Sequence, residues 1–210
     1  MAIIRLADAA DAGAMLAVYA PYVRDTAISF ETEPPSEEEF RQRVRSTLEV
    51  GPWLLCEERG RVLGYAYAGR FHPRRAYQWT VEVTAYVLAE HHRKGVALGL
   101  YTALLACLAL QGFRSAVGVI ALPNPASVGL HERVGFAPAG VLRAVGYKHE
   151  RWHDVGQSPA VSPDGTTVDL YGYASMAVAA IQAQEREIAA LKGEVAALRH
   201  ELDERKPSHR

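Results

Sequence analysis

The chain has 210 residues, of which 49% are hydrophobic and 22% are charged. This composition is typical of a folded globular protein and excludes an intrinsically disordered chain. The formal net charge of −1 excludes a general attraction to nucleic acid, so any anion-binding site must be local. The sequence has no signal pattern and no apolar run of about 18 residues, so we expect a cytoplasmic protein without a membrane segment.

The N-terminal part is predicted to contain one strand and two helices. Residues 3–6 have the pattern of a strand, and Asp8 follows as the N-cap of a first helix. Pro21 is expected to bend or end this helix, because proline lacks the amide hydrogen that a helix interior needs. Ser36 and Glu39 have the spacing of a capping box, which predicts the start of a second, polar helix.

The middle of the chain changes to β-branched and aromatic residues. Three such segments, separated by charged turns, predict a three-stranded meander. They cover residues 53–58, 62–69 and 77–88. A long apolar helix is predicted from Gly95 to Gly112, since glycine commonly follows the last turn of a helix. Strand, helix and strand are then predicted over residues 113–122, 126–134 and 136–146. Together these elements predict a mixed α/β domain, with a sheet covered by helices, over residues 1–157.

The C-terminal part has a different character. A turn-rich segment, residues 158–175, is interpreted as a linker or a substitute last strand, and residues 176–206 as a coiled-coil helix. Heptad spacing of apolar residues supports the coil. These residues are Ile181, Ile188, Leu191, Val195, Leu198 and Leu202. We expect parallel self-association through this helix; a single amphipathic helix packed on its own domain is the alternative.

Three features between residues 79 and 136 together suit acyl transfer to an amine. Glu82 is the one carboxylate of an otherwise apolar strand, and His131 lies on a later helix. Between them the basic segment His92–Ala97 opens the long helix, and a helix N-terminus binds phosphate through its free N–H groups and its dipole. A carboxylate, a phosphate cradle and an imidazole are the parts needed to deprotonate an amine beside a bound acyl thioester. The alternatives are a solvent-exposed strand carboxylate for Glu82 and an ordinary helix histidine for His131.

Metal and disulfide chemistry are not expected. Cys56 and Cys107 lie in apolar patterns without CxxC spacing, which indicates two reduced, buried thiols. His149 and His153 are four residues apart, but their segment has the pattern of a turn between strands, with no cysteine or paired carboxylate nearby. We therefore predict no metal site.

The phosphate-binding segment resembles that of the GCN5-related N-acetyltransferase (GNAT) superfamily. There the loop pattern is Gln or Arg, two residues, Gly, one residue, then Gly or Ala; this chain matches at Gly95 and Ala97 and departs at His92. Over residues 3–155 the chain resembles the phosphinothricin N-acetyltransferase family within this superfamily. The segments that carry the resemblance include FETEP (30–34), AYQWTVE (76–82) and, most specifically, LRAVGYKHERWHDVG (142–156).

The resemblance implies a GNAT-type fold, with a mixed, mostly antiparallel sheet flanked by helices, that forms a homodimer. It implies an enzyme that uses acetyl-CoA, without a metal, to acetylate the α-amino group of phosphinothricin or a glutamate-like relative such as methionine sulfoximine. Two alternatives stay open. One is an N-acetyltransferase for another small amine, and the other is an assembly protein with an inactive transferase domain and a coiled-coil tail.

The resemblance further implies roles for single residues in the acceptor site. Glu82 and His131 would act together as the base, because a carboxylate near an imidazole makes the imidazole a stronger base, and the proton would leave through the pair or a water. Arginine suits the anionic end of the acceptor through its bidentate fork. The residues implied in acceptor binding are His72, Arg74 and Tyr77, with Phe30 as an apolar wall.

The acetyl-CoA site and the last strand complete the implied domain. The residues implied at the acetyl-CoA site are Val87, His92, Arg93, Lys94, Gly95, Val96, Ala97 and Asn124. Asn124 has an alternative role as a helix N-cap. The family continues after residue 156 as an aromatic last strand, whereas here Gln157, Ser158 and Pro159 follow. We expect that this strand is either shortened or replaced by residues 167–173.

Overall fold

The computed structural model of the protein describes residues 2–161. The predicted coil, the candidate strand over residues 167–173 and most of the predicted linker lie outside this part. The strands are β1 (Ile3–Leu6), β2 (Trp53–Glu58), β3 (Arg61–Arg70), β4 (Thr80–Val87), β5 (Ser115–Leu122), β6 (Gly140–Lys148) and β7 (Arg151–Val161). The helices are α1 (Ala12–Asp25), α2 (Glu37–Leu48), α3 (Val96–Leu110) and α4 (Pro125–Arg133). None of the helices within residues 2–161 has the length and apolarity to span a bilayer.

The strands of this part form one sheet in the order β1-β2-β3-β4-β5-β7-β6. Neighbouring strands are antiparallel except β4 and β5, which are parallel. The expected mixed, mostly antiparallel sheet is therefore confirmed, and β2, β3 and β4 are the predicted meander. The predicted capping box at the start of α2 is also formed, because Ser36 and Glu39 each accept a backbone N–H from the other.

β4 and β5 separate halfway along their length. They pair only over residues 80–83 and 115–118. β4 nevertheless continues to Val87 and β5 to Leu122. Beyond the paired segment, the N–H and C=O groups of β4 that point toward β5 therefore form no hydrogen bonds with that strand. We call the space between the two unpaired halves the β4–β5 gap.

The sheet is packed on both faces, and successive residues of a strand point to opposite faces. One core cluster contains Val81, Val83 and Tyr101, and residues of α3 and α4 pack in it. A second cluster contains Trp53 and Tyr65 with buried residues of α1 and α2. We call these the α3–α4 face and the α1–α2 face. The direction of each β4 side chain therefore decides which pair of helices it meets.

Pro21 does not end the first helix, which was one of the two outcomes predicted for it. α1 continues through Pro21 to Asp25. It buries Met15, Val18 and Val23 completely or almost completely. Burial of that apolar face outweighs the single helical hydrogen bond that the proline removes.

The prediction that the last strand is interrupted after residue 156 is wrong. β7 continues through Pro159 to Val161 and pairs with β5 along this stretch. The carbonyl of Pro159 accepts the Ala137 N–H on the side away from β5. β6 begins only at Gly140, so the missing N–H of Pro159 faces no strand partner, a position where proline is tolerated. Residues 158–161 of the predicted linker thus belong to the sheet.

Candidate functional site

Glu82 lies on β4, one residue before the last residue of β4 that pairs with β5. The β4–β5 gap begins after that residue. Its neighbours Val81 and Val83 are buried in the α3–α4 face, so alternation directs the Glu82 side chain to the α1–α2 face. The side chain is half-buried. Burial raises the pKa of the Glu82 carboxyl, and the electrostatic interaction with His72 partly offsets this rise. Glu82 is therefore a carboxylate held partly out of water, which strengthens it as a proton acceptor.

A cavity of about 300 Å³ lies beside the connection between β3 and β4. Three of the four residues predicted to bind the acceptor, His72, Arg74 and Tyr77, line it, together with Arg70 and Arg75. The rings of His72 and Tyr77 lie 5.0 Å apart. The cavity also includes the first residue of β4, two positions before the carboxylate. Guanidinium groups and an imidazole beside a carboxylate suit a zwitterionic ligand with an additional acidic group.

Phe30, the fourth predicted acceptor residue, does not line this cavity. Its ring packs over Gly146, where a Cβ atom would come within 2.1 Å of it, and lies 5.9 Å from the His153 ring. The loop that carries Phe30 is tied down by the buried Lys148, whose Nζ donates to the carbonyls of Val23 (2.6 Å) and Ser29 (2.7 Å). Sequence reasoning did not single out Lys148, although it lies in the most specific segment of the family resemblance.

His131 is buried on the α3–α4 face, with 4% of its surface exposed. Its Nδ1 lies 2.8 Å from the Ser127 carbonyl oxygen and its Nε2 lies 3.1 Å from the Tyr101 hydroxyl. A carbonyl oxygen only accepts, so Nδ1 carries the hydrogen and Nε2 accepts the Tyr101 proton. Burial lowers the pKa of His131 and raises that of Tyr101, so both groups are neutral near pH 7.

Glu82 and His131 lie on opposite faces of the sheet. The His131 ring occupies the space where a Cβ of Gly118 would be, within 2.5 Å of it. Gly118 pairs with Val83, and paired residues of neighbouring strands point to the same face. Among residues 2–161 no hydrogen bond joins Glu82 to His131. A direct contact between these two residues is therefore not made, and transfer of the proton through a water stays a prediction. Tyr101, a buried core residue of the α3–α4 face, is also the partner of the imidazole.

The predicted phosphate-binding segment precedes α3. Gly95 is the N-cap of α3 with a φ of 85°, a left-handed conformation that favours glycine. A Cβ at Gly95 would meet nothing within 4 Å, so the backbone is open to a ligand there. Arg93 and Lys94 are exposed beside it, and the first turn of α3 contains no acidic residue. The free N–H groups of the first turn and the two cations suit a pyrophosphate.

Two polar residues of the predicted acetyl-CoA site are engaged within the protein. The His92 ring turns back to β4, where its Nε2 lies 3.0 Å from the Val87 carbonyl oxygen and 2.7 Å from the Tyr22 hydroxyl. Asn124 is the N-cap of α4, and its Oδ1 accepts the Ser127 N–H at 3.1 Å. The capping role considered for Asn124 is thus present, and it engages Oδ1 but not the side-chain NH₂, which can donate to a ligand.

The thiols and the spaced histidines are not arranged as a metal centre. Cys56 is buried as predicted, Cys107 is only half-buried, and both are free. His153 lies within β7 and not in a turn, and its Nε2 donates to the Lys148 carbonyl at 3.0 Å. Among residues 2–161 no group of three or more His, Cys, Asp and Glu side chains is placed to hold a metal ion.

Known proteins resemble the chain in both sequence and fold. The acetyltransferase (GNAT) domain model matches residues 4–155. Phosphinothricin N-acetyltransferase of Streptomyces viridochromogenes is 46% identical over 153 residues, which cover 73% of this chain and 84% of that protein. L-methionine sulfoximine/L-methionine sulfone acetyltransferase of Pseudomonas paraeruginosa is 34% identical over 156 residues, 72% of this chain and 90% of that protein. The structure of a GNAT superfamily phosphinothricin acetyltransferase from Sinorhizobium meliloti in complex with AcCoA is 34% identical, with a TM-score of 0.76 over 80% of this chain and 92% of that chain.

Proposed function

This chain belongs to the GNAT acetyltransferase family and is an acetyl-CoA-dependent N-acetyltransferase; from that premise we propose that it acetylates the α-amino group of phosphinothricin or a related glutamate-like amino acid. The names of the relatives support this acceptor class, since they include acetyltransferases for phosphinothricin and for methionine sulfoximine. The observation that carries the proposal is a half-buried carboxylate, Glu82, beside a cavity lined by three arginines.

Acetyl-CoA fits the β4–β5 gap and the start of α3. The unpaired half of β4 offers backbone groups to the pantetheine arm, as an extra strand would. The N–H groups at the start of α3, with Arg93 and Lys94, suit the pyrophosphate. Val87 at the end of β4 and the Asn124 side-chain NH₂ lie on the two sides of the gap, where they can contact the arm. These groups would hold the thioester carbonyl at the point where β4 and β5 part.

Glu82 is the proposed base. The α-amino group of an amino acid is protonated at neutral pH and has no lone pair for attack, so a proton must leave it first. Glu82 takes this proton, directly or through a water molecule. The free amine then forms the N–C bond to the acetyl carbonyl while the C–S bond breaks. The second proton of the nitrogen passes to the departing sulfur, so coenzyme A leaves as the thiol. The raised pKa of Glu82 brings it closer to that of the ammonium group and so eases the transfer.

His131 is assigned a supporting role instead of a share in the base. Its two ring nitrogens are both engaged by Ser127 and Tyr101. A neutral, hydrogen-bonded imidazole packed over Gly118 fixes the position of α4 against β5, and α4 begins at the proposed contact residue Asn124. His131 thereby shapes the cofactor side of the sheet, whereas Glu82 works on the acceptor side.

The cavity is proposed to select the acceptor. Arg74 forms a two-pronged hydrogen-bonded pair with the terminal phosphinate or carboxylate, and Tyr77 and His72 contribute further donors. Phe30 lies toward β6 and β7, so we propose that it bounds the apolar side of the amino acid away from this anion site. The homodimer, the self-associating coil and the cytoplasmic location stay predictions.

A panel assay tests the proposed acceptor directly. The full chain is incubated with acetyl-CoA and, separately, phosphinothricin, methionine sulfoximine, glutamate and simple amines, and thiol release is followed. We expect the highest kcat/KM for phosphinothricin or methionine sulfoximine. A simple amine without an anionic side chain that is acetylated more efficiently than either amino acid would contradict the proposal.

A further inference from the structure

Tyr22, near the end of α1, connects three parts of the molecule. Its hydroxyl oxygen lies 2.5 Å from the carbonyl oxygen of Val87 and 2.7 Å from Nε2 of His92. The same Nε2 lies 3.0 Å from the Val87 carbonyl oxygen. A helix of the α1–α2 face is thus joined to the end of β4 and to the loop that leads into α3. Tyr22 was not among the residues predicted from the sequence.

The chemistry of the three groups fixes the direction of the hydrogen bonds. The Val87 carbonyl only accepts, so the Tyr22 hydroxyl donates its proton to it. The Tyr22 oxygen then accepts the Nε2–H of His92, which also points at the carbonyl. Burial raises the pKa of Tyr22, so the hydroxyl keeps the proton that it donates. Each member of the triangle is therefore satisfied by the other two.

The Val87 carbonyl points into the β4–β5 gap. Leu88 donates its N–H to the Leu63 carbonyl of β3, so Leu88 faces β3. Backbone groups of neighbouring residues in an antiparallel pair point in opposite directions, so those of Val87 face away from β3. Tyr22 and His92 thus occupy the last carbonyl of β4, on the edge where the proposed function places acetyl-CoA. The Val87 N–H on the same edge is left for a ligand.

We infer that Tyr22 is a positioning residue of the acetyl-CoA site. By holding the Val87 carbonyl and the His92 ring together, it fixes the point where the phosphate-binding segment leaves β4. Loss of the hydroxyl frees the carbonyl and the imidazole to rotate, so the segment must be ordered again each time the cofactor binds. The cost falls on the part of acetyl-CoA that reaches the segment, namely the pyrophosphate end.

Tyr22→Phe tests this inference because it keeps the ring, which packs 5.0 Å from the Tyr86 ring, and removes only the hydroxyl. Binding of coenzyme A is measured by titration calorimetry. We expect the dissociation constant to rise about five- to thirty-fold, the range expected for loss of one or two ordinary hydrogen bonds. The kcat at saturating acetyl-CoA and the KM of the acceptor should stay within about twofold, because neither depends on ordering this segment.

A truncated donor separates positioning from general damage. S-acetyl-N-acetylcysteamine keeps the thioester and lacks the pyrophosphate, so its kcat/KM should be the same for Tyr22→Phe and the wild-type protein. Tyr19→Phe is the matched control: it lies one turn earlier on α1 and loses a hydroxyl bond to Ser29 instead (2.7 Å). It should bind coenzyme A as the wild-type protein does.

His92→Ala provides the second variant. In the Tyr22→Phe background it should weaken coenzyme A binding little further, because the two residues act through one linked set of hydrogen bonds. An unchanged dissociation constant in Tyr22→Phe would overturn the inference. An equal loss with the truncated donor, or an equal effect of Tyr19→Phe, would also overturn it and reduce Tyr22 to a general structural role.

Discussion

The two faces of the sheet at β4 differ in what they offer to a reaction. The α1–α2 face carries a half-buried carboxylate, Glu82, near a cavity with arginines and His72. The α3–α4 face carries a buried neutral imidazole, His131, that is held by a carbonyl and a tyrosine hydroxyl. In the proposed mechanism the first face binds the amino acid and removes a proton from it, and the second face packs and positions. Within residues 2–161 the two side chains therefore have no direct hydrogen bond through which to share a proton.

The directions of the two pKa shifts support this separation. A carboxylate in contact with an imidazole lowers its own pKa and raises that of the imidazole, since each charge stabilises the other. Here burial raises the pKa of Glu82 and lowers that of His131. Both pKa shifts have the direction that burial causes. An ion pair between the two groups would shift each pKa in the opposite direction. Each group therefore responds to its own surroundings.

The largest expected effect comes from removing the carboxylate. Glu82→Gln should lower kcat by about a hundredfold or more, the usual scale for loss of a general base. The dissociation constant of coenzyme A, measured by calorimetry, should be nearly unchanged because the side chain points to the acceptor face. Glu132→Gln, an exposed carboxylate on α4, is the matched control and should keep wild-type turnover. Full activity of Glu82→Gln at neutral pH would remove Glu82 from the mechanism.

A substitution in the proposed acceptor cavity should change the KM of one substrate and not that of the other. Arg74→Ala is expected to raise the KM of the amino acid about ten- to a hundredfold, because the lost fork binds only that substrate. The KM of acetyl-CoA should change by less than about twofold. Arg75→Ala, in the same cavity, should have a smaller effect on the acceptor. Equal effects of the two variants would indicate a diffuse positive charge instead of a specific fork, and equal effects on both substrates would place Arg74 elsewhere.

A substitution on the α3–α4 face should lower the free energy of unfolding. Gly118→Ala places a methyl group within 2.5 Å of the His131 ring, and such overpacking costs about 1–3 kcal/mol of unfolding free energy. Gly69→Ala is the control on the same sheet, since its nearest atom would be 3.8 Å away. Urea unfolding of both variants measures the difference. Gly118→Ala as stable as Gly69→Ala would mean that His131 is not held against β5.

The smallest expected effect is a gain in stability. The raised pKa of Glu82 means that the folded protein binds this proton more tightly than the unfolded chain does, so ionisation of Glu82 costs stability as the pH rises through that pKa. Glutamine has no such charge, so Glu82→Gln should unfold at a higher urea concentration than the wild-type protein at pH 7. The gain should shrink as the pH falls below the ordinary pKa of glutamate, where Glu82 becomes protonated in both states. A loss of stability at pH 7 would show that the carboxylate makes favourable contacts.

Local patterns sufficed to predict much of the fold. The capping box of Ser36 and Glu39, the meander and the apolar helix α3 depend on residues close in sequence, and all three are present. Pro159 was misinterpreted for a different reason. Whether a proline fits a strand depends on which side of it is paired, and that is decided here by where β6 begins.

In the candidate site, too, features that depend on strand pairing could not be predicted from the local sequence. Strand alternation is enough to infer that Glu82 points away from Val81 and Val83, which are buried in the α3–α4 face. The face occupied by His131 could not be predicted, because it depends on the pairing of Gly118 with Val83. The partners of Tyr22 and Lys148 also lie far away along the chain and follow no short motif. Contacts of this kind come from the register of the sheet and not from the spacing of residues.

The pH dependence of kcat/KM for the acceptor tests the separation of the two faces most directly. The rate should fall at low pH as Glu82 is protonated, with an apparent pKa above the ordinary value for a glutamate. Glutamine at position 131 can keep both hydrogen bonds of the imidazole, so His131→Gln should retain this fall at the same pH even if its turnover is lower. Glu82→Gln should lose it. If the fall moves or disappears in His131→Gln, the two residues share the proton and the account of two independent faces is contradicted.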